Sequence, residues 1–440
     1  MRMHKESLAP PESHARKVFL PWKLKIHTGG GIMATLVLDE EHLEALLAGG
    51  SFYGGGGGGS PGMGREMGRL ALSMGSPFLV DLADLAPDAL LLTVSAVGAP
   101  AAGGGHAGPR DYVKAVELFQ RLTGKTMSGF IANECGGLAT VNGWIQSAAT
   151  GLPVVDAPSD GRAHPTGAMG SMGLHLVADY VSEQVAVGGS PERGTYLEMF
   201  VRGSVEGASA MVRRASVQAG GLVAVARNPV TASYAKEHAA PGAIRMCLQV
   251  GQAILEARED SPAAAAAAAA RASGGAVICY GKVTFKGLET SGGFDTGRIV
   301  IVGESPAGDD RRVDVANGQI ELAFCNEYLT LEAAFGSATG GGAGSAVVRA
   351  GGSSAGRGAG SAGRSVRLAT FPDLIVTMDL GSGMPVSSAE IREGQEVAVV
   401  VVPRHRLILG AGVKDPKLYR DVERAVGKDL VSYAFGPSAS

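Results

Sequence analysis

Between residues 133 and 175 the chain concentrates most of the side chains able to do chemistry. Asn133-Glu134-Cys135-Gly136-Gly137 closes an apolar run and opens a helical stretch. A thiol at the start of a helix is biased toward thiolate by the helix dipole, so Cys135 is a candidate nucleophile. The amides of Gly136 and Gly137 are candidate donors to a developing oxyanion, and Glu134 is a candidate general base. Structural readings stand beside these: cysteine also serves as a small buried hydrophobe, and Glu134 as a simple helix-start charge. Downstream, Asp156, Arg162, His164 and Thr166 bring a carboxylate, a guanidinium, an imidazole and a hydroxyl into one short stretch. Arg162 could clamp a carboxylate in a bidentate way. His164 could move protons near neutral pH or, with Asp156 or Cys135, hold a divalent metal. The alternative is a turn cornered at Asp160-Gly161. His175, with Met169 and Met172, reads as a core-facing residue, and His106 is a loop residue after a strand end.

A second feature is the run Gly54 to Gly59, whose centre, Gly56, Gly57 and Gly58, could wrap an anion at the start of the helix behind Ser60-Pro61. No Lys-Ser/Thr pair follows it and no clear strand precedes it, so it is neither a phosphate-binding loop of the Walker type nor a dinucleotide fingerprint. The alternative is a flexible turn. Arg227-Asn228-Pro229, Lys236-Glu237-His238 and Asn326-Glu327 read as turns and solvated faces, with Asn326-Glu327 close enough to a strand end to reach a neighbouring site.

These residues need elements to hold them. Asp39 caps a helix with Gly49 as its C-terminal stop, a second helix covers about 63–75, and a third covers about 110–122 with Tyr112, Val116, Phe119 and Leu122 on its apolar face. Phe78–Leu82, Ala89–Ser95, Ser128–Glu134 and Pro153–Asp156 read as buried strands, with a helix over 138–149 between the last two. That strand–helix–strand unit requires a parallel pair and puts the strand ends at 95–98, 133–135 and 156 on one edge, where open α/β sheets bind ligands. From about 180 the texture becomes strand-like, with a helix after Pro241, and beyond 276 it is all-β, suggesting a small barrel or sandwich. The fold class is therefore α/β plus β. The domains expected are a disordered extension at 1–32 (with Met33 as an alternative start), an α/β domain at 33–180, a continuation or inter-domain region at 181–262, and a β domain at 276–430. The alanine run 263–270 and the Gly/Ala/Ser-rich segment 337–365 read as surface insertions, the second flexible.

Composition sets the outer limits. Of 440 residues, 67 are glycine, without the three-residue period of collagen, and the formal net charge of −3 comes without a basic block. That balance argues against nucleic acid or an anionic membrane as a partner. The four cysteines form no CxxC pair, so no zinc ribbon or disulfide framework is read. No apolar run reaches the length of a membrane span, and a cytoplasmic enzyme is the expectation.

Gly49-Gly50-Ser51-Phe52-Tyr53 with the glycine run, Asn133 to Gly137, Asp156 to His164, Asn228-Pro229, Ala240 to Ile244, Gly292-Gly293-Phe294, Asn326-Glu327 and Phe371 to Ile375 occur in this order. Together, over about 36–430, they resemble the family once filed as a domain of unknown function and since named after S-methyl-thiohydantoin desulfurase. One stretch departs from the commoner pattern: Ser159 to Thr166 stands where the family usually reads Asp-Gly-Met-Gly-Arg-Ala-Phe-Pro. The resemblance implies a three-layer α/β domain followed by one containing a β-barrel. It also implies a small cyclic substrate, a hydantoin-like ring, whose sulfur substituent is removed by hydrolysis or whose C–N bond is cleaved. The other implication is a non-catalytic accessory subunit of a hydantoinase/oxoprolinase-type ATP-dependent enzyme. A homo-oligomer is a general expectation, and the cofactor is unknown.

Overall fold

The computed structural model describes residues 35–98, 107–304, 318–334 and 365–436. The extension at 1–32, His106 and the insertion at 337–365, Ser365 apart, lie outside them.

The first half builds one sheet. Its strands are β1 (Leu36–Val37), β2 (Phe78–Val80), β3 (Leu90–Gly98), β4 (Gly129–Ala132), β5 (Val154–Val155), β6 (Ser182–Gly188), β7 (Leu197–Gly203) and β8 (Leu222–Thr231). They lie in the order β1-β2-β5-β4-β3-β8-β6-β7. β2, β5, β4 and β3 run parallel, so their C-terminal ends share an edge; β1, β8, β6 and β7 pair antiparallel. The strands of the 181–262 region thus complete the sheet begun before residue 180.

Helices cover both faces. α1 (Glu40–Gly54), α2 (Pro61–Met74), α3 (Pro109–Thr123), α4 (Trp144–Thr150) and α5 (Val205–Gln218) belong to this half. α3 packs its buried Val116 and Phe119 on the face carrying Leu92, Val94, Val185 and Val187, and α5 packs Val212 and Ala215 on the opposite face with Ala186, Val223 and Val225. Leu122, expected on the apolar face of α3, is exposed. α1 starts as expected, with Asp39 accepting from the His42 amide at 3.0 Å. It does not stop at Gly49 but runs on to Gly54, with Gly55 in the left-handed region as its cap. The glycine at 49 serves packing instead. A Cβ there would lie 1.8 Å from Cys247 O, and one on Gly251 would lie 1.8 Å from Ala45 O, because α1 crosses α7 (Ala243–Ala257) backbone to backbone. The helix expected over 138–149 is also corrected: a short 3-10 turn at Ala139–Val141 ends in extended Asn142, and Gly143, at φ 96°, lets α4 restart at Trp144.

After α6 (Ala232–His238) and α7, the alanine run forms α8 (Pro262–Ser273). Ser261 caps it, and five alanines from Ala265 to Ala270 are buried against α7 and the second sheet. This corrects the surface-insertion expectation; alanine has the highest helix propensity, and its small side chain permits close approach.

The second sheet contains β9 (Ala276–Ser291), β10 (Phe294–Glu304), β11 (Gly318–Cys325), β12 (Glu327–Ala334), β13 (Ser365–Thr370), β14 (Leu374–Asp379), β15 (Pro385–Val386) and β16 (Glu396–Val402). Their order, β13-β12-β11-β10-β9-β16-β14-β15, is antiparallel throughout. It curls around its own core of Ile299, Leu322, Phe324, Leu331, Ile375 and Val399 until Tyr328 Oη on β12 meets Thr377 Oγ1 on β14 at 2.9 Å. Among the described residues no backbone ladder joins its edges, so the expected barrel is a curled open sheet. No helix among the described residues is long and apolar enough to cross a membrane.

Candidate active site

The parallel strand ends open into a cavity of about 130 Å³, roughly the size that holds one small ring. Ala96 and Gly98 at the end of β3, Asn133 and Glu134 beyond β4, and His164 and Thr166 in the loop after β5 line one side. Gly58 and Gly59, Ser209 and Arg213 of α5, Arg227 of β8, and Asn326 and Glu327 of the second sheet line the rest. The site is therefore a seam between the two sheets.

Glu134 and His164 meet on its wall. Glu134 Oε2 accepts the His164 backbone amide at 3.1 Å and lies 3.2 Å from His164 Nε2. Burial lowers the His164 pKa, against the opposing pull of Glu134, so the ring is neutral at neutral pH. Across the cavity Glu327, 2% exposed, is pushed up to about 8 by burial and by the neighbouring Glu134 charge. Its Oε2 has no hydrogen-bond partner. Asn142 Nδ2 donates to Asn133 Oδ1 at 3.2 Å, fixing two amide side chains in the same wall.

Other expected site residues are placed elsewhere. Cys135 is fully buried, with Sγ 3.8 Å from Ala243 O. The Cys247 thiol beside it and its burial push it well above the ordinary thiol range, the opposite of an activated thiolate, and no regular helix starts behind it to supply a dipole. Asp156 caps α7, accepting from the amides of Ile244 at 2.8 Å and Arg245 at 3.3 Å. Arg162 is buried and turned away, donating to Ala163 O, Pro372 O and Asp373 O at 2.6–3.1 Å and lying 4.5 Å over the Phe371 ring. Gly136 gives its amide to Thr140 Oγ1 at 2.9 Å, and neither it nor Gly137 lines the cavity. Their role is close approach: a Cβ on Gly136 would lie 2.4 Å from Gly58 Cα. Of Gly56, Gly57 and Gly58, only Gly58 lines the cavity, beside Gly59; Gly56 O instead accepts from Ser388, and Gly57 packs against the Glu327 carboxylate. His175 pairs with Asp415 at 2.9 Å, outside the cavity. Among the described residues no group of three or more His, Cys, Asp or Glu is arranged to hold a metal ion.

Residues 41–187 match the S-Me-THD-like N-terminal domain, and residues 204–411 match the S-Me-THD-like C-terminal domain. The chain belongs to the S-Me-THD-like family. A crystal structure of a protein from Chromobacterium violaceum, a structural-genomics target, is similar in fold, with a TM-score of 0.58 at 21% identity over 89% of this chain and 96% of that one. No curated protein matches the chain in sequence. The S-Me-THD-like name points to an enzyme acting on a thiohydantoin.

Within this S-Me-THD-like chain, Arg213 and Ser209 also line the cavity, though neither belongs to a motif. Both sit on α5, which is capped by Ser204, whose Oγ accepts the Gly207 amide at 3.1 Å. That cap, followed by Val205, Ala208, Val212 and Ala215 at helical spacing, is the signal that locates them.

The buried carboxyls give the fold a measurable pH response. Asp160 and Glu327 are each pushed up to about 8 in the folded chain, chiefly by burial, from 3.8 and 4.5. The folded state thus holds protons that the unfolded state has released, and stability falls as pH rises through that window. His164 acts in the opposite sense only below its unfolded value of 6.5. The melting temperature is expected to be higher at pH 6 than at pH 8.5, with Asp160→Asn flattening the difference; a melting temperature that rises over this range would refute the assignment.

Proposed function

We propose that this protein hydrolyses a thiohydantoin-like ring at the carbon that bears sulfur. In the step we infer, Glu134 takes a proton from water as its oxygen bonds to that carbon and the C=N electron pair moves onto nitrogen. Collapse of the tetrahedral intermediate then breaks the C–S bond; methanethiolate leaves and takes up a proton, so that S-methyl-thiohydantoin and water give hydantoin and methanethiol. His164 donates its Nε2 proton toward Glu134 and orients the base. Asn133 and Asn142 are donors for a ring oxygen, and Gly58 lets the loop backbone approach the ring. The observation that carries this reading is the buried Glu134–His164 pair at 3.2 Å, set on the cavity wall formed by the parallel strand ends. The family's thiohydantoin name supports the substrate class.

The test is incubation of purified protein with S-methyl-thiohydantoin and with hydantoin, following thiol release and ring opening together. Thiol release is the expected result. Ring opening without thiol would replace the reaction by C–N cleavage, and silence from folded protein on both would favour the accessory-subunit role. His164→Ala is expected to lower the rate of thiol release about a hundredfold, whereas Cys135→Ala leaves it within about twofold. Equal losses in the two variants would bring the thiol back into the mechanism.

A further inference from the structure

The two sheets leave four edges. β1 and β15 are two residues each, and β13 is tied down through Arg367, which donates to Asp429 O at 3.0 Å and lies 4.4 Å over the Tyr433 ring. β7 is different. It stands last in its sheet, and among the described residues its backbone pairs with β6 alone, from Leu197 opposite Gly188 to Gly203 opposite Ser182, without a register shift. The backbone groups that point away from β6 are an open ladder. Long edges in soluble proteins are ordinarily blunted by a proline, a bulge or a charge at mid-strand. β7 has none of these: its middle is Met199-Phe200-Val201, all half-buried. Leu197, Met199 and Val201 pack partly on the α5 side and Phe200 partly on the α3 side, so half-covered apolar side chains reach the edge on both faces.

The charges of β7 flank that middle symmetrically. Glu198 and Arg202 stand two residues either side of Phe200 and on its face of the sheet. Glu198 lies 4.0 Å from Lys114 and accepts from Tyr196 Oη at 2.8 Å. Arg202 lies 3.2 Å from Glu183 of β6, which Lys125 also meets. Their side chains are 38% and 60% exposed, so each has room for a second partner. We infer that β7 is a self-complementary interface, through which two copies of the chain pair antiparallel about a two-fold axis at Phe200 and join their first sheets into one. A two-fold axis perpendicular to the sheet keeps each face on its own side, so it must pass where a residue meets its own copy. At Phe200 it sets Glu198 opposite the partner's Arg202, Met199 opposite the partner's Val201 and Leu197 opposite the partner's Gly203. Moved one residue either way, it sets Glu198 or Arg202 against an aromatic ring. The charge pattern thus selects one register, in which opposite charges alternate along one row from Lys125 through Glu183 and Arg202 to the partner's Glu198 and the partner's Lys114. None of the residues of β7 lines the cavity, and the pairing stands apart from its chemistry.

Sedimentation equilibrium of the full chain and of two charge variants tests this. The native chain is expected at twice its mass of 44.6 kDa. Glu198→Arg sets arginine against arginine in both halves of the interface, and Arg202→Glu sets glutamate against glutamate. Each variant alone is expected to dimerise about tenfold or more weakly than the native chain. Mixed in equal amounts, the two regain opposite charges at every position, and a dimer with one chain of each is expected to return near the native affinity. A native chain that stays monomeric at about 100 μM would overturn the interface and leave the edge to a strand of another protein. A dimer that neither substitution weakens would place the contact elsewhere, and loss without recovery in the mixture would overturn the register at Phe200. Should either variant fail to fold, hydrogen exchange on the native chain, above and below its dimerisation midpoint, decides. Protection of β7 amides that rises with dimerisation supports the pairing, and unchanged protection overturns it.

Discussion

Glu134→Gln is expected to lower kcat/KM for thiol release by about a thousandfold while leaving the melting temperature nearly unchanged. The reason lies in what the substitution keeps. The amide oxygen of glutamine can still accept the His164 backbone N–H that Glu134 Oε2 accepts at 3.1 Å, so the loop after β5 stays in place. What disappears is basicity: an amide cannot take a proton from water. The same oxygen faces Nε2 of His164 at 3.2 Å, and an amide oxygen in that place still accepts the ring's proton. Steady-state kinetics with circular dichroism and thermal melts separate the two effects. A loss below about tenfold in folded protein would remove Glu134 from the chemistry and leave its contact with His164 as a loop anchor.

The largest effect on stability is expected at the crossing of α1 and α7. Gly251→Val should cost at least the upper end of the about 1–3 kcal/mol usual for overpacking, enough to depress soluble yield sharply. A Cβ at 251 would lie 1.8 Å from the carbonyl oxygen of Ala45 and 2.8 Å from Gly49 N, both backbone atoms in a helix that cannot swing aside as a flexible side chain would. The helices would have to separate, and α1 carries buried Leu43, Leu46, Leu47, Phe52 and Tyr53 into the same core. Gly203→Ala is the control: no atom lies within 4 Å of its Cβ position, and a change within about 0.5 kcal/mol is expected. Urea unfolding midpoints for the two variants check both statements, and an unchanged midpoint for Gly251→Val would show that the close crossing does not exist.

How much could be read beforehand follows from which forces are local. The parallel strands around Phe130 and Val154, and the edge at which Glu134 and His164 meet, follow from short apolar runs and turn residues close together in the chain. The role of Arg162 is not legible locally because its partners, Pro372 O and Asp373 O, lie in the second half of the chain, some 210 residues away. The place of Glu327 is hidden for the same reason: only the docking of the two sheets brings it to the cavity that Glu134 lines. Gly49 reads as a helix stop because a glycine that permits a close helix crossing and one that permits a left-handed cap are the same letter. Alanines 263–270 read as a surface insertion because their burial depends on α7 and the second sheet, which the local sequence does not show. For Cys135, proximity to Cys247 decided, and that contact joins the strand-end loop to a helix more than a hundred residues on.

The sheet order carries one more implication. The two family matches meet between residues 187 and 204, yet β8, at 222–231, is hydrogen-bonded between β3 and β6 of the earlier segment. The two matched segments are therefore not interchangeable modules. A gene split at the β6–β7 connection would yield two polypeptides with raw, mutually templating edges, and a chimaera joining halves from distant relatives would inherit a mismatched sheet before it inherited a mismatched catalyst. Lineages of such proteins should recombine as whole chains.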